Sequence, residues 1–231
     1  MMSKNKAVFY KAGTDYPADA AKYIYAQLKK AEAEKQGTIS VALSGGSTPL
    51  PVLNLLKESG LDWGRYAFYM VDERCVPVND PQNNYGNISQ VFLEKIPSAS
   101  FAMYNDELGA QASAEAYEQL LVENLPVVSG FPQFDYIFLG LGDDGHTASL
   151  FPETDALLES NKYVVANVVP SLNTVRITLT YPVLLNAANI AVLTKGNNKH
   201  KVINELYSDN PTAYPMLKIA QEYEGLVWIT D

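Results

Sequence analysis

Apolar positions recur along this chain in two alternating rhythms. Residues 7–9 form a short apolar opening and predict a first strand. From residue 17 to 35, Ala20, Ile24, Leu28 and Ala31 fall on one face at helical spacing, and Pro17 suits a first helical turn. Gly37 is a stop signal for that helix. Residues 39–43 then make a short, mostly apolar run ending at a glycine pair, as a strand buried on both faces does. The alternation repeats with a helix from near Pro49, carrying Val52, Leu53, Leu55 and Leu56, and a strand at 66–71. Residues 87–94 and 111–124 predict helices, and 135–141 is the strongest central strand. Further strands are expected at 163–168, 175–180, 190–194 and 226–229, with a helix at 199–206. Pro126, Gly130 and Pro132 mark 125–133 as a loop.

Strands alternating with helices predict an α/β fold, a doubly wound and mostly parallel sheet with helices on both faces. There is no internal repeat, low-complexity stretch or linker. A length of 231 residues suits one domain spanning 1–231.

Charge and cysteine usage narrow the partners. The formal net charge is -9, which argues against general nucleic-acid binding. An anionic ligand would need cations concentrated locally. Cys75 is the sole cysteine, so no intrachain disulfide forms and a reducing compartment is favoured. No apolar run approaches the roughly 18 residues of a membrane span. The amino terminus lacks the apolar stretch of a signal peptide. A cytoplasmic location with no membrane partner is expected.

Ligands of open α/β sheets bind beyond the carboxyl ends of the strands. Three polar clusters follow directly on predicted strands. The first is Ser44-Gly45-Gly46-Ser47-Thr48-Pro49, in which Thr48 is a good N-cap and Pro49 a good first helical residue. It reads either as a tight strand-to-helix turn or as an anion site at a helix N-terminus. The second is Asp72-Glu73-Arg74, followed by Asn83-Asn84-Tyr85-Gly86; it is either a surface salt-bridge group or part of a site. The third runs from Gly140 to Pro152 and holds Asp143, Asp144, Gly145 and His146. His146 is one of two histidines, and a neighbouring acid can orient an imidazole that accepts a proton near neutral pH. A Gly-Asp turn with an incidental histidine is the alternative. Arg176 and Lys199 are cations suited to a phosphate, although each alone is more often a solvated charge. His200, flanked by lysines, reads as surface. The chain has no Gly-x-Ser-x-Gly elbow, and no His-Glu-x-x-His or Cys/His set that would indicate a metal site.

Together these clusters resemble the 6-phosphogluconolactonase family of the glucosamine-6-phosphate isomerase/6-phosphogluconolactonase superfamily. The resemblance rests on LSGGSTPL at 43–50, DERCVP at 72–77, NYG at 84–86, GLGDDGHTASLFP at 140–152, RITLT at 176–180 and residues 196–199, with 225–229 similar to that family's last strand. It implies a glucosamine-6-phosphate deaminase-like, modified Rossmann fold. It also implies hydrolysis of 6-phospho-D-glucono-1,5-lactone to 6-phosphogluconate in the oxidative pentose phosphate pathway, without an organic cofactor. The partner is then a small phosphorylated sugar lactone, and the protein a monomer or small homo-oligomer. Carried over, His146 is the general base and Asp144 its acidic partner. Gly45, Gly46, Ser47, Arg74, Arg176 and Lys199 make the sugar-phosphate pocket, with Asp72 nearby. Two departures stand out: Glu153 follows Pro152 where glycine is common, and the residues around Gly196 differ from the usual Thr-Gly-Glu. Two rivals share the fold. A glucosamine-6-phosphate deaminase would carry an active-site glutamate where Phe151 stands. A non-catalytic sugar-phosphate sensor would normally carry a DNA-binding module, for which this chain has no room.

Overall fold

The computed structural model describes residues 7–231. In chain order its elements are β1 (Val8–Lys11), α1 (Tyr16–Glu34), β2 (Ile39–Leu43), α2 (Pro49–Leu56), β3 (Tyr66–Met70), β4 (Asp72–Arg74), α3 (Asn84–Val91), β5 (Ala99–Ser100), α4 (Gly109–Asn124), β6 (Val127–Val128), β7 (Phe131–Pro132), β8 (Tyr136–Leu139), β9 (Val164–Val169), β10 (Thr174–Leu179), α5 (Tyr181–Leu185), β11 (Ile190–Leu193), α6 (Asn197–Leu206), α7 (Pro215–Glu222) and β12 (Val227–Thr230). The runs without polar alternation become interior strands: every residue of β2, β3, β8 and β11 is buried. In α1 the predicted stripe is the one that packs inward, with Ala20, Ile24 and Leu28 buried. Asp15 caps this helix by accepting from the Ala18 N–H at 3.3 Å, and Pro17 sits in its first turn.

The main sheet has the order β1-β12-β11-β8-β2-β3-β5 and all its pairings are parallel. From β1 the chain crosses to β2 in the interior and steps outward through β3 to β5. It then returns to β8, on the other side of β2, and steps outward in the opposite direction through β11 to β12. Right-handed crossovers running in opposite directions put their helices on opposite faces. The helix contacts follow that division, α1 with α2 and α2 with α3, and separately α5 and α6 with α7. Successive connections diverge between β2 and β8. That switch point leaves a crevice outside the carboxyl ends of the two strands.

Several expectations need correction. The runs at 163–168 and 175–180 do not enter the parallel sheet. As β9 and β10 they form an antiparallel sheet of their own with β4. A short turn through Pro170–Leu172 and left-handed Asn173 joins them, too short for the crossover that a parallel pair requires. Thr48 does not cap α2: it is already helical, at φ -73° and ψ -47°, and its side chain makes no cap bond. The helix expected at 87–94 starts earlier, at Asn84, because the Asn83 side chain accepts from the Gly86 N–H at 2.8 Å. The loop at 125–133 contains the small hairpin of β6 and β7. Helix α7 was not anticipated. Its buried residues Pro215, Met216, Ile219 and Ala220 span barely two turns, too few for a clear period.

Candidate active site

The crevice at the switch point is a cleft of about 260 Å³. Its walls are the glycine loop after β2, Asp72 and Arg74 after β3, Asn84 on α3, the loop after β8 as far as Ala148, and Lys199 on α6. Each wall thus follows the carboxyl end of a parallel strand.

The two central strand ends are stitched together. The Ser44 N–H donates to the Phe138 carbonyl at 2.9 Å, and the Gly140 N–H donates to Ser44 Oγ at 3.2 Å. The chain then turns sharply at Gly46, whose φ of 107° favours glycine. A Cβ on Gly45 would lie 1.9 Å from Asn84 Oδ1, so the loop backbone rests directly on that asparagine. Pro49 and Pro51 have no N–H, so of the first three residues of α2 only Leu50 carries a backbone donor, and the donors that border the cleft belong to the loop before the helix.

The loop after β8 holds the imidazole. His146 Nδ1 lies 2.5 Å from Asp144 Oδ1, and the same oxygen accepts from the His146 backbone N–H at 3.2 Å. The Gly142 N–H donates to the His146 carbonyl at 2.8 Å, and the Gly145 N–H to the Gly142 carbonyl at 3.1 Å, closing a tight turn. The ring stacks on Phe151, with centroids 4.1 Å apart and planes at 28°. An Nδ1–H donated to a carboxylate leaves Nε2 as the proton-accepting nitrogen. The motif residues beyond His146 anchor the loop. Thr147 Oγ1 donates to the Gly140 carbonyl at 2.8 Å. Ser149 is fully buried; its Oγ donates to Asp72 Oδ2 at 2.6 Å, its N–H to Thr178 Oγ1 at 3.1 Å, and its carbonyl accepts from Asn167 Nδ2 at 2.9 Å. The antiparallel sheet therefore ties the histidine loop to Asp72.

The opposite wall is cationic. Arg74 and Arg176 face each other across β4 and β10. Arg74 Nη1 donates to the Gln82 carbonyl at 2.6 Å, while the Nε atoms of both arginines are buried without a partner. Burial first, and the Arg74 charge second, hold Arg176 below the usual arginine pKa. Glu73 is completely buried and turns away from the arginines toward the start of α3. Its carboxyl accepts from the N–H groups of Arg74, Asn84 and Tyr85 at 2.6–2.8 Å, and burial pushes its pKa up to about 7. Burial likewise pushes the Cys75 thiol up to about 11, leaving it protonated near neutral pH. Lys199 closes the mouth, with Nζ 2.5 Å from Asp143 Oδ1. That ammonium holds the Asp143 carboxyl below the usual range.

Of the residues expected from the sequence, Gly45, Gly46, Ser47, Asp72, Arg74, His146 and Lys199 all border the cleft. Asp144 is bonded to His146 and Arg176 is paired beside Arg74 on the neighbouring strand, and neither of the two borders the cleft. His200 is not a plain surface residue. It is half-buried, and Nε2 lies 3.0 Å from Asp231 Oδ1, the oxygen that also accepts from the Gly196 N–H at 2.9 Å. Glu73, Asn84, Ser149 and Asn167 were not singled out as site residues. Asn84 borders the cleft itself, while Glu73, Ser149 and Asn167 hold it from behind, and no spacing in the sequence connects them. Among the described residues, no group of three or more His, Cys, Asp or Glu side chains is placed to hold a metal ion, and no helix is long and apolar enough to cross a membrane.

Residues 12–228 match the family model described as glucosamine-6-phosphate isomerases/6-phosphogluconolactonase. The chain belongs to this family. Other members are close in sequence and in shape. The chain is 35% identical over 242 residues to the chloroplastic 6-phosphogluconolactonase 3 of Arabidopsis thaliana, covering 99% of this chain and 74% of that protein. It is 36% identical over 212 residues to the 6-phosphogluconolactonase of Synechocystis sp., covering 89% of this chain and 86% of that one. Among solved structures, the family member from Trypanosoma brucei, a 6-phosphogluconolactonase, superposes with a TM-score of 0.85 at 27% identity, covering 98% of this chain and 96% of that one. The family resemblance and the α/β fold class read from the sequence are both borne out.

Proposed function

We propose that this family member hydrolyses 6-phospho-D-glucono-1,5-lactone to 6-phospho-D-gluconate in the oxidative pentose phosphate pathway. One observation carries the proposal. His146, held through Nδ1 by Asp144, presents Nε2 to a cleft that is also bordered by Arg74 and Lys199. The phosphate is held by Arg74 and Lys199, with the Arg176 charge next to Arg74 and the N–H groups of the glycine loop beside them. Anchoring at that end sets the lactone carbonyl near His146. Nε2 takes a proton from water as the water oxygen bonds to the carbonyl carbon. When the tetrahedral intermediate collapses, the bond from that carbon to the ring oxygen breaks. The leaving oxygen takes the proton back from the imidazolium, whose charge Asp144 has stabilised. A lactone already hydrolyses without help, so the roughly 10²–10⁴-fold typical of general base catalysis is a substantial share of what is needed.

Phe151 argues against the deaminase alternative. Its ring lies flat against His146, where a deaminase would place its glutamate, and a phenyl ring exchanges no protons. In this proposal residues 1–231 act as one domain, in the cytoplasm, as a monomer or small homo-oligomer. The test is proton release from freshly generated lactone in weak buffer, expected to outrun the spontaneous background, with no ammonia from glucosamine 6-phosphate. Ammonia release without lactone hydrolysis would overturn the proposal.

A further inference from the structure

We propose that Tyr214 is a positioning residue that clamps the outer face of the histidine loop and so fixes the orientation of Asp144 toward His146. The inference rests on His146 as the base. Asp144 and His146 are not fixed by burial: their side chains are 48% and 30% exposed. Among the described residues, Asp144 makes hydrogen bonds to His146 alone. Its direction is therefore set by the backbone of the turn that carries it.

That turn is held from outside at Gly145, the residue between the two, which stands at φ 73°. The Tyr214 ring rests on it so closely that a Cβ on Gly145 would lie 2.3 Å from Tyr214 Cγ. Two residues further on, the Met216 N–H donates to the Gly145 carbonyl at 3.0 Å. Tyr214 is itself tethered. Its hydroxyl donates to Glu205 Oε2 at 2.6 Å, an oxygen that also accepts from Thr212 Oγ1 at 3.2 Å. Its carbonyl accepts from the Leu217 N–H at 2.9 Å at the start of α7.

Helix α6 thus grips the turn at two places. Near its start, Lys199 bonds Asp143; near its end, Glu205 bonds Tyr214, which covers Gly145. A substrate phosphate competes with Asp143 for Lys199, because both are anions seeking one ammonium. Once that first grip loosens, the Tyr214 clamp still holds Gly145 while the reaction proceeds. A residue that only filled space would affect stability, whereas a clamp on the turn affects the geometry of the base.

The test compares Tyr214→Ala, Tyr214→Phe and Glu205→Ala in the full chain, well below each variant's melting temperature. It reads kcat, KM and the downfield Nδ1–H proton resonance of His146. With two histidines in the chain, His146→Gln assigns that resonance. Tyr214→Ala is expected to lower kcat by on the order of tenfold or more, with KM within about twofold, and to broaden or abolish the resonance. Tyr214→Phe and Glu205→Ala each remove the hydroxyl–carboxylate bond and keep the ring on Gly145, so each should lower kcat by about threefold, less than Tyr214→Ala. Glu205→Ala, on an exposed helix face, carries the test if the alanine variant at Tyr214 does not fold. Wild-type kcat together with an unchanged His146 resonance, in Tyr214→Ala or failing that in Glu205→Ala, overturns the clamp. So does a rise in KM alone. Full turnover in His146→Gln would defeat the base assignment by itself, and the response of the resonance to Tyr214→Ala would still report on the clamp.

Discussion

On the wall that follows β8, hydrogen bonds within the protein hold the histidine loop in place. Nδ1 of His146 rests on Asp144, Thr147 bonds Gly140, and Ser149 bonds Asp72, Thr178 and Asn167. On the wall built from β4 and β10, two guanidinium groups sit opposite each other with their buried Nε atoms unpartnered. Like charges directly across a strand pair are destabilising, by up to about 1 kcal/mol. The contrast separates two kinds of preorganisation. In the proposed reaction the base is oriented by the chain before substrate arrives, so its cost is met in folding. The cations would be left in an unfavourable arrangement that an arriving dianion relieves.

The largest effect expected from this contrast is on the oriented wall. His146→Gln should lower kcat by about 10²–10⁴-fold while KM moves little, because the imidazole acts in the transition state. Steady-state rates on fresh lactone, corrected for background, measure it. On the cationic wall the signature should reverse. Arg74→Ala and Lys199→Ala should raise KM by roughly tenfold or more and leave kcat near the wild type, since each removes a charge-assisted bond worth about 1.5–3 kcal/mol. Arg176→Ala should raise KM less, because Arg176, although paired beside Arg74, does not border the cleft. An equal effect from Arg176 would bring it into direct contact with the phosphate and redraw that wall.

What the sequence revealed follows the same division. Runs such as 39–43 and 66–70 are legible because a strand buried on both faces needs apolar residues throughout. The loop after the strand at 135–141 is legible because glycines, acids and a histidine in one short span have few uses. The hairpin of β9 and β10 was legible as strands and not as a separate antiparallel sheet, because pairing partners leave no trace in a local period. Ser149 was visible only as part of a motif. Its role depends on Asp72, 77 positions away, and on Thr178, 29 positions away. Tyr214 was hidden for the same reason: its partners Glu205 and Gly145 lie on other elements.

Glu73 separates the walls in another way, through pH. Its folded pKa of about 7 stands above the ordinary 4.5, with burial as the main cause. A raised folded pKa gives stability that is fully present below the unfolded pKa and is lost as pH rises through the folded one. The Glu73 contribution should therefore decline between about pH 4.5 and pH 7. In Glu73→Gln the amide cannot accept from all three N–H groups, so the variant should be less stable throughout. The melting-temperature gap between wild type and variant should narrow as pH rises across that window. A gap that widens would mean that the three N–H donors outweigh burial and that Glu73 is ionised in the fold.

The smallest effect tests the departure from the family pattern at Glu153. This residue adopts φ 60°, in the left-handed region that glycine enters freely and other residues enter at a cost. The usual family glycine after Pro152 thus has a local reason, and here a side chain occupies the same backbone geometry. Relief of that cost is worth about 1–2 kcal/mol. Glycine returns about half of it through the greater freedom of the unfolded chain, roughly 0.5–1 kcal/mol. Glu153→Gly should therefore raise the melting temperature by about 2 °C, as expected for a net gain of somewhat under 1 kcal/mol in a domain of this size. It should leave kcat and KM unchanged, because Glu153 neither borders the cleft nor bonds the histidine loop. A fall in kcat with higher stability would instead show that the strained turn at Ala148 and Glu153, both at positive φ, helps to aim His146.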